Sequence, residues 1–207
     1  SSRLLFEKNS FENKKPNPIK VDVYAILSGI SFDKKTTQKI ISIINSIREI
    51  LIGEDFYFVK PENLGIEYAI LKWPKDEVNH ELINETESFL NQIEIPRFNL
   101  NIIGIQLHKD GCIILKGVDH GREIFNLRKE LKKKLVNLPK KQSNWAHIPL
   151  GRILSPIGQQ KMIALKNKIY KLNLELNFNI PIDKVHFVHE KQWYMVDKRY
   201  ILTKNLI

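Results

Sequence analysis

Hydrophobic and polar residues alternate along the chain with two periods. Between Thr36 and Leu51, apolar residues recur every three or four positions, which places them on one face of a helix. From Phe98 onward, apolar and polar residues alternate singly, which is the pattern of a half-buried strand. Read along the whole chain, the two patterns predict the element order β-α-β-β-α-β-β-α-β-α-β-β-β.

The predicted elements follow from these patterns and from local turn and cap residues. The predicted helices cover about 36–51, 75–92 and 122–136, and a fourth begins at Ser155 and Pro156. The predicted strands cover about 21–31, 56–59, 64–73, 98–107, 112–117, 146–154, 174–180, 184–189 and 194–203. Gly53 is the expected cap of the first helix, and Asp110-Gly111 is a hairpin signal. Hairpins mixed with helices indicate an α+β fold rather than a doubly wound parallel sheet.

The domain organisation is predicted from the polar start of the chain. Residues 1–18 are polar and end with two closely spaced prolines, which predicts an N-terminal arm or lead-in. Residues 19–207 are expected to form a single bilobal domain.

Composition narrows the class of protein. The 207 residues are 43% hydrophobic and 27% charged, which is typical of a globular protein. No apolar stretch approaches the roughly 20 residues that span a bilayer, and residues 1–6 lack a signal-peptide core. Cys112 is the only cysteine, so an intrachain disulfide is impossible. We therefore expect a cytoplasmic protein without a membrane partner, a bound metal or a cofactor, and a monomer is favoured.

The net charge of +10 has two interpretations that the sequence leaves open. An excess of positive charge is typical of proteins that bind anionic partners such as nucleic acid. Alternatively, the abundance of Lys, Ile and Asn reflects AT-rich codons, and the lysines cover an ordinary solvated surface. Only seven of the 33 basic residues are arginine, which is fewer than a dedicated duplex-binding protein is expected to carry.

Residues 145–153 contain the most informative motif, in which a histidine begins an apolar run. In a regular strand, His147, Pro149 and Gly151 lie on one face and Arg152 lies on the other. His147 is therefore a candidate acid, base or phosphate donor. Arg152 is expected outside the same pocket unless the strand contains a bulge.

The segment His147-Ile148-Pro149-Leu150-Gly151-Arg152 resembles the second motif of the 2H phosphoesterase superfamily, which reads His-hydrophobic-Thr/Ser-Leu-Gly-Arg. Pro61-Glu62-Asn63-Leu64 is similar to the lead into the family's first motif, and the resemblance covers about residues 20–203. It implies two lobes related by a pseudo-twofold axis. Antiparallel sheets would line a central cleft with helices outside, and each lobe would supply one motif strand.

The chain departs from the family at the residues that carry the chemistry. Where the family has His-x-Thr after the first lead, this chain has Gly65-Ile66-Glu67, and Pro149 occupies the hydroxyl position of the second motif. Proline has neither a hydroxyl group nor a backbone N–H. In the family, the two histidines share the acid and base roles and the hydroxyls hold phosphate oxygens. Glu67 is a candidate substitute for the missing group, although a charged carboxylate repels a phosphodiester.

The resemblance makes His147 the surviving catalytic histidine, and we expect Gly65, Pro149, Trp145, Lys140 and Lys141 to contact the substrate. Lysines 132–134 belong to the same basic and aromatic group, which is either a nucleic-acid contact or a solvated helix face. His80, His108 and His120 are expected to be surface residues. His186 and His189 lie three apart on a predicted strand and face opposite sides, so no histidine spacing suggests a zinc site.

Three functions are compatible with this sequence. The one we favour is a 2H-like protein that binds RNA or a nucleotide phosphate in its cleft, with weak or lost cyclic phosphodiesterase activity. The first alternative is an active 2′,3′-cyclic or 2′-5′ phosphodiesterase, a phosphoric diester hydrolase with altered catalytic groups. The second is a non-catalytic protein-interaction scaffold.

Overall fold

The computed structural model describes residues 2–11 and 15–207, and within them the element order matches the predicted one. The strands are β1 Lys20–Gly29, β2 Phe56–Phe58, β3 Gly65–Lys72, β4 Phe98–Leu107, β5 Cys112–Val118, β6 His147–Ile153, β7 Phe178–Ile182, β8 Lys184–Gln192 and β9 Asp197–Asn205. The helices are α1 Lys34–Arg48, α2 His80–Gln92, α3 Glu123–Lys134 and α4 Gln159–Glu175.

The strands form two antiparallel sheets, which confirms the predicted α+β class. The first sheet has the order β3-β1-β8-β9, and the second has the order β2-β6-β5-β4-β7. Strands β3 and β6, which carry the two family-like motifs, belong to different sheets and contact each other. The fold therefore brings two segments that are about 80 positions apart in sequence to one place.

The helices pack in pairs on the two sheets. Helix α3 contacts β3 and helix α2 contacts β9, so both lie against the first sheet. Helix α4 contacts β4 of the second sheet, and α1 packs against α4. The inner stripe of α3 predicted from the sequence is buried, with Ile124, Leu127 and Leu131 each at most 3% exposed. Among the described residues, no helix is long and apolar enough to cross a bilayer.

Helix α1 begins and ends earlier than its apolar stripe suggests. Asp33 caps its first turn, because the carboxylate accepts a hydrogen bond from the amide of Thr36 at 3.0 Å. The helix ends at Arg48 with Glu49 as its C-cap, so the prediction that Gly53 is the cap was wrong. Gly53 instead takes a φ of +86° in the turn that follows, a conformation that favours glycine.

Helix α2 begins at His80, five residues later than predicted. The Asn79 side chain accepts a hydrogen bond from the amide of Leu82 at 3.0 Å, which defines the helix start. Before it, the Asp76 carboxylate accepts from the amide of Trp73 at 3.0 Å and holds the chain in a turn. Val78 therefore lies before the helix and is 38% exposed.

Helix α4 does not begin at Ser155 and Pro156 as predicted. It starts at Gln159 after the N-cap Gly158, and Ile157 just before it packs against the core. The helix continues to Glu175, so the predicted strand over 174–180 was displaced and β7 covers Phe178–Ile182.

The N-terminal segment is packed against the domain by one aromatic side chain. Residues 2–5 and 8–11 form two short 3-10 helices, and Phe6 between them is 3% exposed. The Phe6 ring lies 5.2 Å from that of Tyr57 and 5.9 Å from that of Tyr194. Residues 12–14 of the predicted arm lie outside the described residues. Residues 2–11 thus cover one end of the region between the two sheets.

Candidate functional site

A cleft of about 250 Å³ lies between the two sheets. On the side of the first sheet it is lined by residues of β1, β3 and β8, and on the side of the second sheet by residues of β5 and β6. His147, Pro149, Gly65 and Glu67 all line it. The structure therefore brings together four of the seven residues that the sequence selected.

The floor of the cleft on the first sheet is apolar. Val23, Ala25 and Leu27 alternate along β1 and are at most 3% exposed, and they form a small cluster with Ile70 and Val188. Because strand side chains alternate between faces, the intervening residues of β1 point to the opposite face and leave the cleft floor uniformly apolar. The side chains of Trp73, Trp193 and Met195 pack around this cluster at the rim. Such a surface accepts a flat, apolar group.

A β-bulge in β6 changes which side chains face the cleft. Ile113 of β5 is paired with Gly151 and the next residue, Ile114, is paired with Pro149, so Leu150 is the extra residue on β6. Beyond the bulge the alternation is shifted by one position, and Arg152 lines the same cleft as His147. The prediction that Arg152 lies on the other face was therefore wrong, because the strand contains the bulge that a regular alternation excludes.

His147 occupies the start of β6 with its ring largely shielded from solvent. Its Nδ1 lies 3.3 Å from the carbonyl oxygen of Trp145. Because a carbonyl oxygen only accepts hydrogen bonds, this contact places the proton on Nδ1 and leaves Nε2 as the basic nitrogen. Burial, together with the nearby charges of Arg128 and His108, lowers the pKa of His147 below its ordinary value. The ring is thus neutral at pH 7.

Gly65, which the sequence resemblance aligns with the first motif histidine, lies where the backbone leaves no room for a side chain. A Cβ atom on Gly65 would lie 2.9 Å from the carbonyl oxygen of Ser28 and 2.9 Å from Cδ1 of Leu27. Gly65 is paired across the sheet with Gly29, whose φ is +97°. A Cβ atom on Gly29 would in turn lie 2.9 Å from Cα of Gly65. Strands β1 and β3 therefore approach each other closely at the Gly29–Gly65 pair.

Glu67 projects into the cleft two residues further along β3. Desolvation raises the pKa of its carboxyl group to about 6, and the neighbouring charges of Arg128 and Lys141 oppose that rise. The guanidinium of Arg128 donates to the backbone oxygen of Glu67 at 2.6 Å rather than to its carboxylate. Near neutral pH, Glu67 therefore exists in both its protonated and ionised forms.

Glu190 of β8 is a second carboxyl group in the cleft, and the sequence pattern did not identify it. It is 5% exposed, and its Oε1 accepts a hydrogen bond from the amide of Met195 at 2.8 Å. Burial raises the pKa of Glu190 to about 7, and the negative charge of Glu67 contributes to that rise. Two carboxyl groups that are both partly neutral thus face the cleft from the first sheet.

The turn between β8 and β9 closes one end of the cleft. Tyr194 and Met195 have φ values of 60° and 58°, a left-handed conformation that costs energy in residues other than glycine. The Glu190 side chain holds this turn through the amide of Met195. As a result Trp193, Tyr194 and Met195 all line the cleft.

The structure does not bring Trp145, Lys140 or Lys141 into the cleft lining. Trp145 is 50% exposed and meets the ring of His108 edge-on at 5.6 Å. Lys141 lies at the rim, where its backbone oxygen accepts from Nε1 of Trp73 at 3.2 Å and its Nζ is 4.9 Å from the centre of that ring. Lys140 is exposed. The segment before β6 runs along the outside of the cleft, which is why these side chains point elsewhere.

Three cleft residues were missed because their position depends on tertiary structure. Arg152 faces the cleft only through the bulge, Tyr194 reaches it from the β8–β9 turn, and Glu190 faces it from β8. The left-handed residues in that turn are neither Gly nor Asn, so the usual turn signal was absent. His108 is also more buried than predicted, because its Nε2 is buried with no hydrogen-bond partner among the described residues.

Comparison with known proteins shows similarity in structure and none detectable in sequence. No family profile matches the sequence, and no curated protein matches it significantly. Among solved structures, LigT of Escherichia coli in apo form has a TM-score of 0.63 and 13% identity, covering 91% of this chain and 99% of its own. The protein TT0787 of Thermus thermophilus has a TM-score of 0.64 and 11% identity, covering 89% of this chain and 97% of its own.

A conserved protein from Agrobacterium tumefaciens, ATU0111, has a TM-score of 0.70 and 13% identity, covering 89% of this chain and 86% of its own.

The chain has the 2H phosphoesterase fold. The 2H-like fold expected from the motif residues is thereby confirmed. Compared with the 2H motifs, this chain keeps His147 and has Gly65, Glu67 and Pro149 at the other three positions. In the described part of the chain, no group of three or more His, Cys, Asp or Glu side chains is arranged to hold a metal ion.

Proposed function

We propose that this protein binds a nucleotide phosphate in the cleft, with cyclic phosphodiesterase activity weak or absent. The observation that carries the proposal is the convergence of His147 and Arg152 on one wall of the cleft, facing Glu67 on the other. Arg152 is held by Asp110 at 2.8 Å and by the hydroxyl of Tyr194 at 3.1 Å. Its guanidinium places a fixed positive charge in a partly dehydrated site, where it attracts an anion more strongly than in water.

The remaining surface of the cleft suits a nucleoside. The apolar floor of β1 and the rings of Trp73 and Trp193 offer flat contacts to a base. The volume of about 250 Å³ lies just below the range of typical small-ligand sites, roughly 300–1,000 Å³. It therefore suits a ligand of about one nucleotide. Crystal structures of LigT, which shares the fold, include complexes with phosphate and with 3′-AMP.

The expectation of weak catalysis follows from the groups that the cleft lacks. A positioned acid or base is typically worth roughly 10²–10⁴-fold in rate. Gly65 supplies none, and Pro149 offers neither a hydroxyl nor an N–H to a phosphate oxygen. A phosphate in this cleft would be bound without the orienting contacts that in-line attack needs.

A specific observation supports the alternative of an altered phosphodiesterase. The pKa of Glu67 is raised to about 6 and that of His147 is lowered, and both shifts favour a protonated carboxyl group beside a neutral imidazole. A neutral imidazole is a base and a protonated carboxyl group is an acid, which are the two groups that opening a cyclic phosphate requires. Protonated Glu67 also avoids the repulsion that a carboxylate exerts on a phosphodiester.

Isothermal titration with phosphate and with 3′-AMP tests the binding proposal. We expect saturable binding at pH 6.5, weakened by His147→Ala and unchanged by His120→Ala, which removes an exposed histidine from a turn. Equal affinities for the wild type and His147→Ala would contradict the proposed site. Absence of binding to either probe would favour the scaffold alternative.

Hydrolysis of 2′,3′-cyclic nucleotides separates the binding protein from the enzyme. For a binding protein we expect no turnover above background between pH 5 and 8. Turnover that is lost in both His147→Ala and Glu67→Gln, with an optimum near pH 6, would establish the altered phosphodiesterase instead.

A further inference from the structure

The N-terminal segment forms part of the cleft wall. We call residues 2–11, which contain the two short 3-10 helices, the N-terminal strap. Leu5 lines the cleft and is half-buried, whereas Leu4 beside it is 71% exposed. One apolar side chain of the strap therefore faces the ligand site and its neighbour faces solvent.

Hydrogen bonds to the returning chain hold the strap beside the end of β8. The carbonyl oxygen of Leu5 accepts from the amide of Ile19 at 3.0 Å, and the carbonyl oxygen of Ile19 accepts from the amide of Trp193 at 3.0 Å. Gln192, the last residue of β8, donates through Nε2 to the carbonyl oxygen of Pro18 at 2.8 Å. The strap is thereby tied to the β8–β9 turn, which itself lines the cleft.

Phe6 joins the strap to both sheets. Its side chain is buried, and its ring lies 5.2 Å from that of Tyr57 on β2 of the second sheet. It lies 5.9 Å from the ring of Tyr194 in the turn of the first sheet, and the two tyrosine rings are 5.1 Å apart. Ring separations of roughly 4.5–7 Å are those of favourable aromatic pairs. Three rings from separate segments thus close this end of the cleft.

The closed end is also the end that holds Arg152. Tyr194, which packs on Phe6, accepts a hydrogen bond from Nε of Arg152 at 3.1 Å. Arg152 is paired with Cys112 across β5 and β6, and both residues line the cleft together with Leu5. A phosphate attracted by this guanidinium would therefore lie next to the closed end, with the strap beyond it.

We propose that the N-terminal strap restricts the cleft to free mononucleotides, because a second nucleoside esterified to the bound phosphate would overlap the strap. The proposal rests on the proposed function for the phosphate site and adds the size limit of its ligand. Leu5 forms the wall, and Phe6 is a positioning residue that fixes it. A protein discriminates against a larger ligand by placing atoms where that ligand would extend. The volume of about 250 Å³ agrees with this limit.

Two ligands of equal charge test the size limit, namely the methyl ester of 3′-AMP and the dinucleotide adenylyl-(3′→5′)-uridine. Each is a phosphodiester with one negative charge, so they differ in the size of the group beyond the phosphate. By isothermal titration, we expect the wild type to bind the methyl ester at least about tenfold more tightly. We expect Phe6→Ala and Leu5→Ala to narrow that ratio to less than about threefold. Leu4→Ala, the matched control in the strap, leaves the ratio unchanged.

Alkylation of Cys112 measures the closure without a ligand. Cys112 is the only cysteine of the chain and lines the cleft. Its rates with iodoacetamide, which is small, and with fluorescein maleimide, which is bulky, are compared. Both reagents react with the same thiolate, so the ratio of the two rates cancels any change in the pKa of the thiol. We expect the rate with the maleimide relative to iodoacetamide to rise at least about tenfold in Phe6→Ala and to stay unchanged in Leu4→Ala.

The outcomes separate the strap from the phosphate site. An unchanged rate ratio in both Phe6→Ala and Leu5→Ala would refute closure by the strap. Equal binding of the two diesters by the wild type would refute the size limit and leave the phosphate site standing. Binding of neither diester, with a raised rate ratio in the variants, would overturn the proposed function while the closure stands. If Phe6→Ala does not fold, Leu5→Ala decides, since Leu5 is half-buried and its replacement leaves Phe6 in place.

Discussion

Nε of Arg152 on β6 donates a hydrogen bond to the hydroxyl of Tyr194, in the turn between β8 and β9, at 3.1 Å. The two residues belong to different sheets, so this bond spans the cleft. It also holds the arginine whose charge the proposed phosphate site needs. We expect Tyr194→Phe to lower the free energy of unfolding by about 1.5–3 kcal/mol, the contribution of a hydrogen bond to a charged group. Urea denaturation measures this change, and phosphate affinity is expected to fall with it.

Tyr57 provides the matched control for that substitution. Its ring lies 5.1 Å from that of Tyr194, and its buried hydroxyl has no hydrogen-bond partner among the described residues. Removing an unsatisfied buried hydroxyl relieves a desolvation cost, so Tyr57→Phe is expected to leave stability unchanged or raise it by up to about 1 kcal/mol. A destabilisation equal to that of Tyr194→Phe would show that the Arg152 contact is not the cause.

Substitution of Gly65 tests whether the missing histidine can be restored. Because a Cβ atom there would lie 2.9 Å from the oxygen of Ser28, Gly65→Ala is expected to cost about 1–3 kcal/mol of unfolding free energy, and Gly65→His at least as much. Gly158→Ala is the control, since nothing lies within 4 Å of the position that its Cβ atom would take. Because Gly158 is the N-cap of α4, where glycine is preferred to alanine, we expect that control to cost no more than about 1 kcal/mol. A stable Gly65→His variant with full cyclic phosphodiesterase activity would contradict this account.

Ionisation of Glu190 is expected to destabilise the fold as the pH rises. Its pKa of about 7 lies above its ordinary value of 4.5, so the folded protein holds the proton more tightly than the unfolded chain. The loss of unfolding free energy caused by ionisation of Glu190 is absent below pH 4.5. It grows between pH 4.5 and 7 and is complete above pH 7. Glu190→Gln should therefore be about 2–3 kcal/mol more stabilising at pH 8 than at pH 5, measured by urea denaturation. The amide oxygen can still accept from Met195, and an equal effect at both pH values would refute the prediction.

Phosphate affinity is expected to fall as pH rises from 5.5 to 8, in addition to any change in the ligand's own charge. Glu67 and Glu190 ionise in this range, with pKa values of about 6 and about 7, and their charges repel the anion. In Glu67→Gln, we expect the fall in affinity between pH 5.5 and 8 to be smaller by a factor of about ten or more. A single nearby charge has an effect of that order in a partly buried site. Titration with a phosphodiester, whose charge is constant over this range, makes the measurement independent of phosphate ionisation. A parallel pH dependence in the variant and the wild type would exclude Glu67 from the site.

The amino-acid sequence by itself determined the order of nine strands and four helices, together with the two motif segments that lie on β3 and β6. This was possible because the periods of a strand and a helix are local properties of the pattern. Helix starts were less accurate, since caps such as Asn79 and Gly158 compete with other plausible ones nearby.

Only the tertiary structure decided the chemistry of the cleft. The bulge at Leu150 depends on pairing between β5 and β6 and turns Arg152 toward His147. The raised pKa values of Glu67 and Glu190 depend on burial by residues remote in sequence. The alternation of apolar and polar residues predicts which face of a regular strand a side chain lies on. Irregular pairing and desolvation arise only when separate segments pack together, and in this protein they determine what the cleft presents to a ligand.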